Sequence, residues 1–262
     1  MSEEDIEFRP GLDEAGEVIL LYRCASSLKP GDAQMHFDYG LSFMELGTGI
    51  ENQAIGAFEE AVRLRPHWAA AHSQLGLTYA AADRREETIE AFKRAISLRP
   101  DDLDTLGAFA HACLLLEHYS EAEQAAARMV TLAPLMSGSH FVLGFAQLLT
   151  GRYAEAGESF HRAVQLEPDL SEARFGLGLA SIALGDDRLA QVQYDTLREL
   201  DHGLAQKLAE HRQRGRLITE KIVGHFLNTT GWQSIDCSLD CGRVYAAKTD
   251  CQSSCALHPS SV

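Results

Sequence analysis

Four cysteines near the C-terminus form the densest cluster of reactive side chains in the chain. Cys237, Cys241, Cys251 and Cys255 make two C-x3-C pairs with nine residues between them, and they are four of the six cysteines in 262 residues. Paired thiols at that spacing fall within the range used by four-cysteine zinc sites. A bound zinc would also give this segment, which has little core of its own, a reason to fold. The other reading is a tail of free or redox-reactive thiols. Cys24 and Cys113 lie in helical patterns and read as small buried residues.

Histidine is the next candidate, with 11 in the chain. His36, His72 and His140 recur at one place in a repeating pattern. Helices stand about 10 Å apart, too far for imidazoles on successive copies to share one zinc at about 2 Å. Packing between helices is therefore expected of them, and His111 reads as a lone polar group. No phosphate loop, dinucleotide-binding fingerprint, nucleophile elbow or HExxH motif is present, so no catalytic residue is assigned and the chain is not expected to be an enzyme. Gly176-Leu177-Gly178 is too short a glycine motif to count.

Composition narrows the partners. Apolar residues make up 45% of the chain, enough for a sizeable core. A net charge of -15 argues against nucleic acid and against an anionic membrane surface. No apolar run approaches the roughly 18 residues that cross a bilayer. The start carries Glu3, Glu4, Asp5 and Glu7, where a secretory signal needs positive charge followed by an apolar run. A cytoplasmic location is expected, and in a reducing space the cysteines are thiols or ligands sooner than structural disulfides.

The elements that would position any site follow from a period. Pro30, Pro66, Pro100, Pro134 and Pro168 are spaced by 36, 34, 34 and 34 residues. Leu28, Leu64, Leu98, Leu132 and Leu166 precede them by two. Small residues recur at Ala25, Ala61, Ala95 and Ala163, and aromatics at Tyr22, Phe58, Phe92, Phe160 and Tyr194. Earlier in each copy stand Gly40, Gly76, Gly144 and Gly178, with Ala110 in the middle copy, each following a large residue. Apolar positions recur at three and four residues in each half, which is one face of a helix. Short polar connectors such as Asp83-Arg84-Arg85-Glu86 make the two helices of a copy antiparallel. The proline then ends the second helix.

This 34-residue unit with small-large-small positions and a closing proline resembles the tetratricopeptide repeat. The likeness covers residues 33–66, 67–100, 101–134, 135–168 and 169–202, with a partial repeat at 14–32 and a capping helix over 203–228. A flexible acidic segment, 1–13, precedes them, and the cysteine tail, 229–262, follows. Repeat 33–66 has two extra residues near Gly47-Thr48-Gly49. Repeat 101–134 departs most, with Ala126 and Met129 in place of the usual aromatic and alanine, and a looser helix pair is expected there.

The resemblance implies an all-α, right-handed superhelical solenoid of antiparallel helix pairs. It implies that first helices line a concave groove through Phe37, Leu41 and Met44; Ser73, Leu77 and Ala80; Gly107, His111 and Leu114; Phe141, Phe145 and Leu148; and Phe175, Leu179 and Ile182. Family members that grip a chaperone's C-terminal carboxylate use Lys, Asn and Arg at such positions, and that clamp is missing here. A protein or peptide with apolar anchors is the implied partner, the chain acting as scaffold, adaptor or chaperone. Self-association, and occlusion of the groove by residues 203–227, are the other ways to cover so apolar a face. The array is also similar to the shorter tetratricopeptide chaperones of type III secretion, which lack a cysteine tail. The twin C-x3-C is similar to the small translocase chaperones of the mitochondrial intermembrane space, where such cysteines form two disulfides. A metal- or redox-dependent protein acting through the tail, with the repeats as a docking arm, is the alternative function.

Overall fold

The computed structural model describes residues 14–46 and 51–214. Twelve helices make up the regular structure of these residues: α1 (Glu14–Leu28), α2 (Ala33–Glu45), α3 (Glu51–Leu64), α4 (Ala69–Ala81), α5 (Arg85–Leu98), α6 (Leu103–Leu115), α7 (Tyr119–Leu132), α8 (Ser137–Leu149), α9 (Tyr153–Leu166), α10 (Ser171–Leu184), α11 (Asp187–Leu200) and α12 (His202–Arg214). The chain divides into two compact units, Met1–Leu98 and Arg99–Val262. The N-terminal unit holds α1 and the antiparallel pairs α2/α3 and α4/α5. The C-terminal unit holds the pairs α6/α7, α8/α9 and α10/α11, with α12 packed on both helices of the last pair. Both units are thus all-helical stacks of paired helices. The insertion near Gly47, the four tail cysteines and residues 215–228 of the expected cap lie outside the described residues.

Glycine sets the spacing of the pairs. A Cβ built on Gly40 would lie 2.5 Å from Cε1 of Phe58, and one on Gly76 would lie 2.9 Å from Cδ2 of Phe92. Phe160 is held from two sides, since a Cβ on Gly144 would come within 3.0 Å of the ring and one on Gly176 within 2.5 Å. The aromatic of each second helix therefore occupies space that any other residue on the first helix would need. All three rings are fully buried, each worth about 1.5–3 kcal/mol in area removed from water. The last pair differs, because there a Cβ on Gly178 would meet Leu208 of α12 at 2.6 Å.

Repeat 101–134 solves the same problem with other residues. Ala110 stands where the glycine would be and Ala126 where the phenylalanine would be; both are fully enclosed, as is Met129. The ring is lost, a methyl is gained opposite, and an unbranched thioether fills irregular space nearby. These three positions are as closed as their counterparts in the other repeats.

The turns repeat as strictly as the helices. Asp83, Glu117, Gly151 and Gly185 follow the first helices of four successive repeats, and all have positive φ, at 58°, 64°, 79° and 75°. In each, the next residue's N–H reaches back to close the helix: Arg84 to the Tyr79 carbonyl at 2.9 Å, His118 to Cys113 at 2.8 Å, Arg152 to Gln147 at 2.9 Å, and Asp186 to Ser181 at 2.9 Å. This left-handed closure satisfies carbonyls that a helix end leaves bare. Between repeats, proline sits second in a tight turn, closed for example by Trp68 N–H on the Arg65 carbonyl at 3.1 Å.

That proline has a partner. Nε2 of His36 lies 3.3 Å from the Pro30 carbonyl, Nε2 of His72 lies 3.0 Å from Pro66, and Nε2 of His140 lies 2.9 Å from Pro134. Arg174 takes the same role in the last repeat, its Nε donating to the Pro168 carbonyl at 2.8 Å. The side chain thereby fixes the turn to the helix that follows it. Burial holds the His72 imidazole below its usual range, opposed by the Pro66 carbonyl. His36 is tied at both ends, its Nδ1 lying 2.9 Å from the Tyr22 hydroxyl of α1.

His111 sits in the most apolar helix of the C-terminal unit, where α6 is buried from Thr105 to Leu114. Burial pushes its imidazole down from 6.5 to about 4.

Four outcomes follow for stability. Gly40→Ala lowers the urea midpoint, with a cost of about 1–3 kcal/mol from overpacking. Gly56→Ala, facing open space, raises it by about 0.5–1 kcal/mol through helix propensity. His140→Phe costs about 0.5–1.5 kcal/mol, and His140→Arg, which reproduces the Arg174 arrangement, costs less. For His111 the folded pKa is depressed, so its contribution is complete above pH 6.5 and is lost as pH falls towards 4. Native stability then declines by about 1.4 kcal/mol per pH unit in that window. In His111→Leu this component of the pH dependence disappears, which denaturation at pH 7 and pH 5 measures.

Candidate partner-binding groove

The expected lining falls on both units. In the N-terminal unit, α2 presents Phe37, Leu41 and Met44, all half-buried. Phe37 is the best anchored of them. Its ring lies 4.5 Å from that of Trp68 and 5.6 Å, edge on, from that of Phe58. The Arg65 guanidinium covers the indole at 5.1 Å, so an aromatic pair is backed by a cation. The Met44 sulfur lies 3.5 Å from the Thr78 hydroxyl, which donates to the Gln74 carbonyl at 2.7 Å, and this contact joins α2 to α4. On α4, Ser73 and Leu77 are buried, while Ala80 is half-buried.

In the C-terminal unit the same register is more enclosed. His111 and Leu114 on α6 and Phe141, Phe145 and Leu148 on α8 are buried, as are Phe175 and Leu179 on α10. Only Ile182 is half-buried. Phe141 lies 6.3 Å from Phe145, nearly parallel, and 6.1 Å from Phe160. Phe175 meets the His211 ring of α12 edge on at 6.4 Å. The periodicity thus places these residues on one helix face, and in the C-terminal unit that face is not open to water. Contact with Phe141, Phe145 or Leu179 would require the neighbours that cover them to move.

Two groups beside the lining were not singled out by sequence. Trp68 sits in the turn between two repeats, and no other repeat has an aromatic there to mark it. Tyr79 donates its hydroxyl to Glu59 at 2.7 Å and lies under the Arg84 guanidinium at 4.5 Å. Burial, then that carboxylate, push its phenol well above the ordinary range. Both fix how second helices meet the next first helix. Among the described residues no three His, Cys, Asp or Glu side chains come together as a metal site. No described helix is long and apolar enough to cross a membrane.

Tetratricopeptide-repeat family models match residues 69–102 and 108–171. No curated protein matches the sequence. Among solved structures, the chain is similar to YrrB, described as a TPR protein with an unusual peptide-binding site: 18% identity over 72% of this chain and 97% of that one, with a TM-score of 0.61. It is similar to MamA from Desulfovibrio magneticus RS-1, at 19% identity over 65% and 96%, TM-score 0.60. MamA AMB-1 gives 21% identity over 64% and 98%, TM-score 0.57. At these identities the structures speak for the fold, and the family models speak for the repeats. Glycine-spaced helix pairs, a 34-residue turn period and both repeat matches agree, and the chain carries tetratricopeptide repeats over residues 69–102 and 108–171.

Proposed function

We propose that this protein is a non-enzymatic scaffold or chaperone that takes an apolar segment of a partner against the first helices of its N-terminal unit. Tetratricopeptide arrays serve in general as protein-interaction modules, and a fold neighbour is described as having a peptide-binding site. The reading rests on Phe37, Leu41 and Met44. They lie at groove positions of α2 and keep part of their surface accessible, while Phe43 and Phe58 close the core. Two or three apolar anchors, each worth up to about 1.5–3 kcal/mol on full burial, offset much of the cost of ordering a short segment. Met44 adds an adaptable surface that fits more than one side-chain shape. Leu114, Phe141, Phe145, Leu148, Phe175 and Leu179 enter this picture as the packed continuation of the register and are not first contacts.

A displayed library of short peptides, selected on the purified chain, tests this. Selected peptides are expected to carry two or more bulky apolar residues. Their affinity is expected to fall at least about tenfold, or about 1.4 kcal/mol, in Leu41→Glu with Met44→Glu, while circular dichroism retains the helical signal. Peptides without apolar anchors, or equal binding by the double variant, would remove the groove from the function.

A further inference from the structure

A second surface lies in the C-terminal unit, on residues that the groove register does not use. Between α9 and the turn from α10 to α11 there is a trough of about 260 Å³. Gly157 of α9, Ala180 and Leu184 of α10, and Leu189 of α11 form its apolar part, with Glu158, His161 and Asp186 as the ionisable groups of its lining. Leu184 is 55% exposed. A preformed cavity of about 150 Å³ already accepts a benzene ring, so this one takes a leucine- or methionine-sized side chain with room for its backbone.

The equivalent junctions carry other residues. One repeat earlier, Glu123 stands in place of Gly157 and Arg152 in place of Asp186, and Arg152 bridges to both Glu123 and Glu155. In the N-terminal unit the corresponding residues are Ile55, which is buried, and Arg84, whose guanidinium lies over Tyr79. Only the last junction pairs a glycine with a carboxylate. Gly157 is not demanded by close packing, since a Cβ there would meet Ala180 at an ordinary 3.9 Å. A glycine inside a helix weakens it, and here its effect is an open floor. Replacing arginine by Asp186 also reverses the charge at that position; its Oδ1 caps α11 by accepting from the Leu189 N–H at 3.0 Å, and with Glu158 it makes the border of an apolar slot acidic.

We propose that this trough is a docking site for a short basic-apolar segment of a partner protein, with one leucine or methionine in the slot and flanking lysine or arginine side chains towards Glu158 and Asp186. Charge complementarity selects that partner over an acidic one, and its residues are separate from those proposed for the groove.

The probe is a fluorescein-labelled synthetic hexapeptide with a central leucine flanked by arginines, beside the same peptide with glutamates for the arginines. Fluorescence polarisation with the full chain is expected to show saturable binding of the basic peptide only. Gly157→Leu, which fills the floor without breaking the helix, is expected to weaken it at least about tenfold, the loss of one buried anchor. Glu158→Lys, on the exposed rim, is expected to weaken it several-fold and to flatten its salt dependence. Leu41→Glu with Met44→Glu is expected to leave it unchanged, which separates this surface from the groove. Absent binding, equal binding of the acidic peptide, or undiminished binding to Gly157→Leu and Glu158→Lys would overturn the proposal. So would sedimentation showing a dimer that Gly157→Leu abolishes, because the occupant would then be a second copy.

Discussion

The close approach of helix backbones at glycine is the constraint from which the rest follows. Gly40, Gly76 and Gly144 let a phenylalanine from the second helix lie flat against the first, where the next atom of any larger side chain would collide. Fixed this way, the pair has one spacing, and the turns can be short. Gly176 extends the argument across a repeat boundary, because Phe160 is gripped by the following first helix as well as its own. The repeat with Ala110 and Ala126 shows that a matched pair of volumes matters more than either residue type, as close-packed interiors require.

Much of this was legible in the primary structure. The proline lattice, the small residues at Gly40, Gly76, Gly144 and Gly178, and the aromatics at Phe58, Phe92 and Phe160 specify helix pairs at a constant stride. Other features left no usable mark. Asp83 and Glu117 adopt the left-handed turn that Gly151 and Gly185 adopt, yet neither is a glycine, so the common position was hidden by side-chain identity. His36, His72 and His140 were visible as a series. Their acceptors were not, because each bond joins a ring to a main-chain oxygen six residues earlier, and Arg174 replaces the ring in the last copy.

The groove was legible only in part, for a physical reason. A helical register assigns a residue to a face, and says nothing of what lies across from that face. Phe37 and Phe141 occupy the same repeat position, but one remains half-accessible beside Trp68 and the other is buried beside Phe145 and Phe160. The paired cysteines, Cys237 to Cys255, lie outside the described residues.

Each recurring turn draws its bonds from a window of at most seven residues: the left-handed closure runs from Arg152 to Gln147, and the proline clasp from His140 to Pro134. None of these bonds spans a whole copy. A genetic duplication or excision with both breakpoints at equivalent places would therefore leave every cap and clasp with a partner of the right kind. The array can change length by whole copies without inventing a new junction, and what varies from one junction to the next, such as Glu123 against Gly157, is free to diverge.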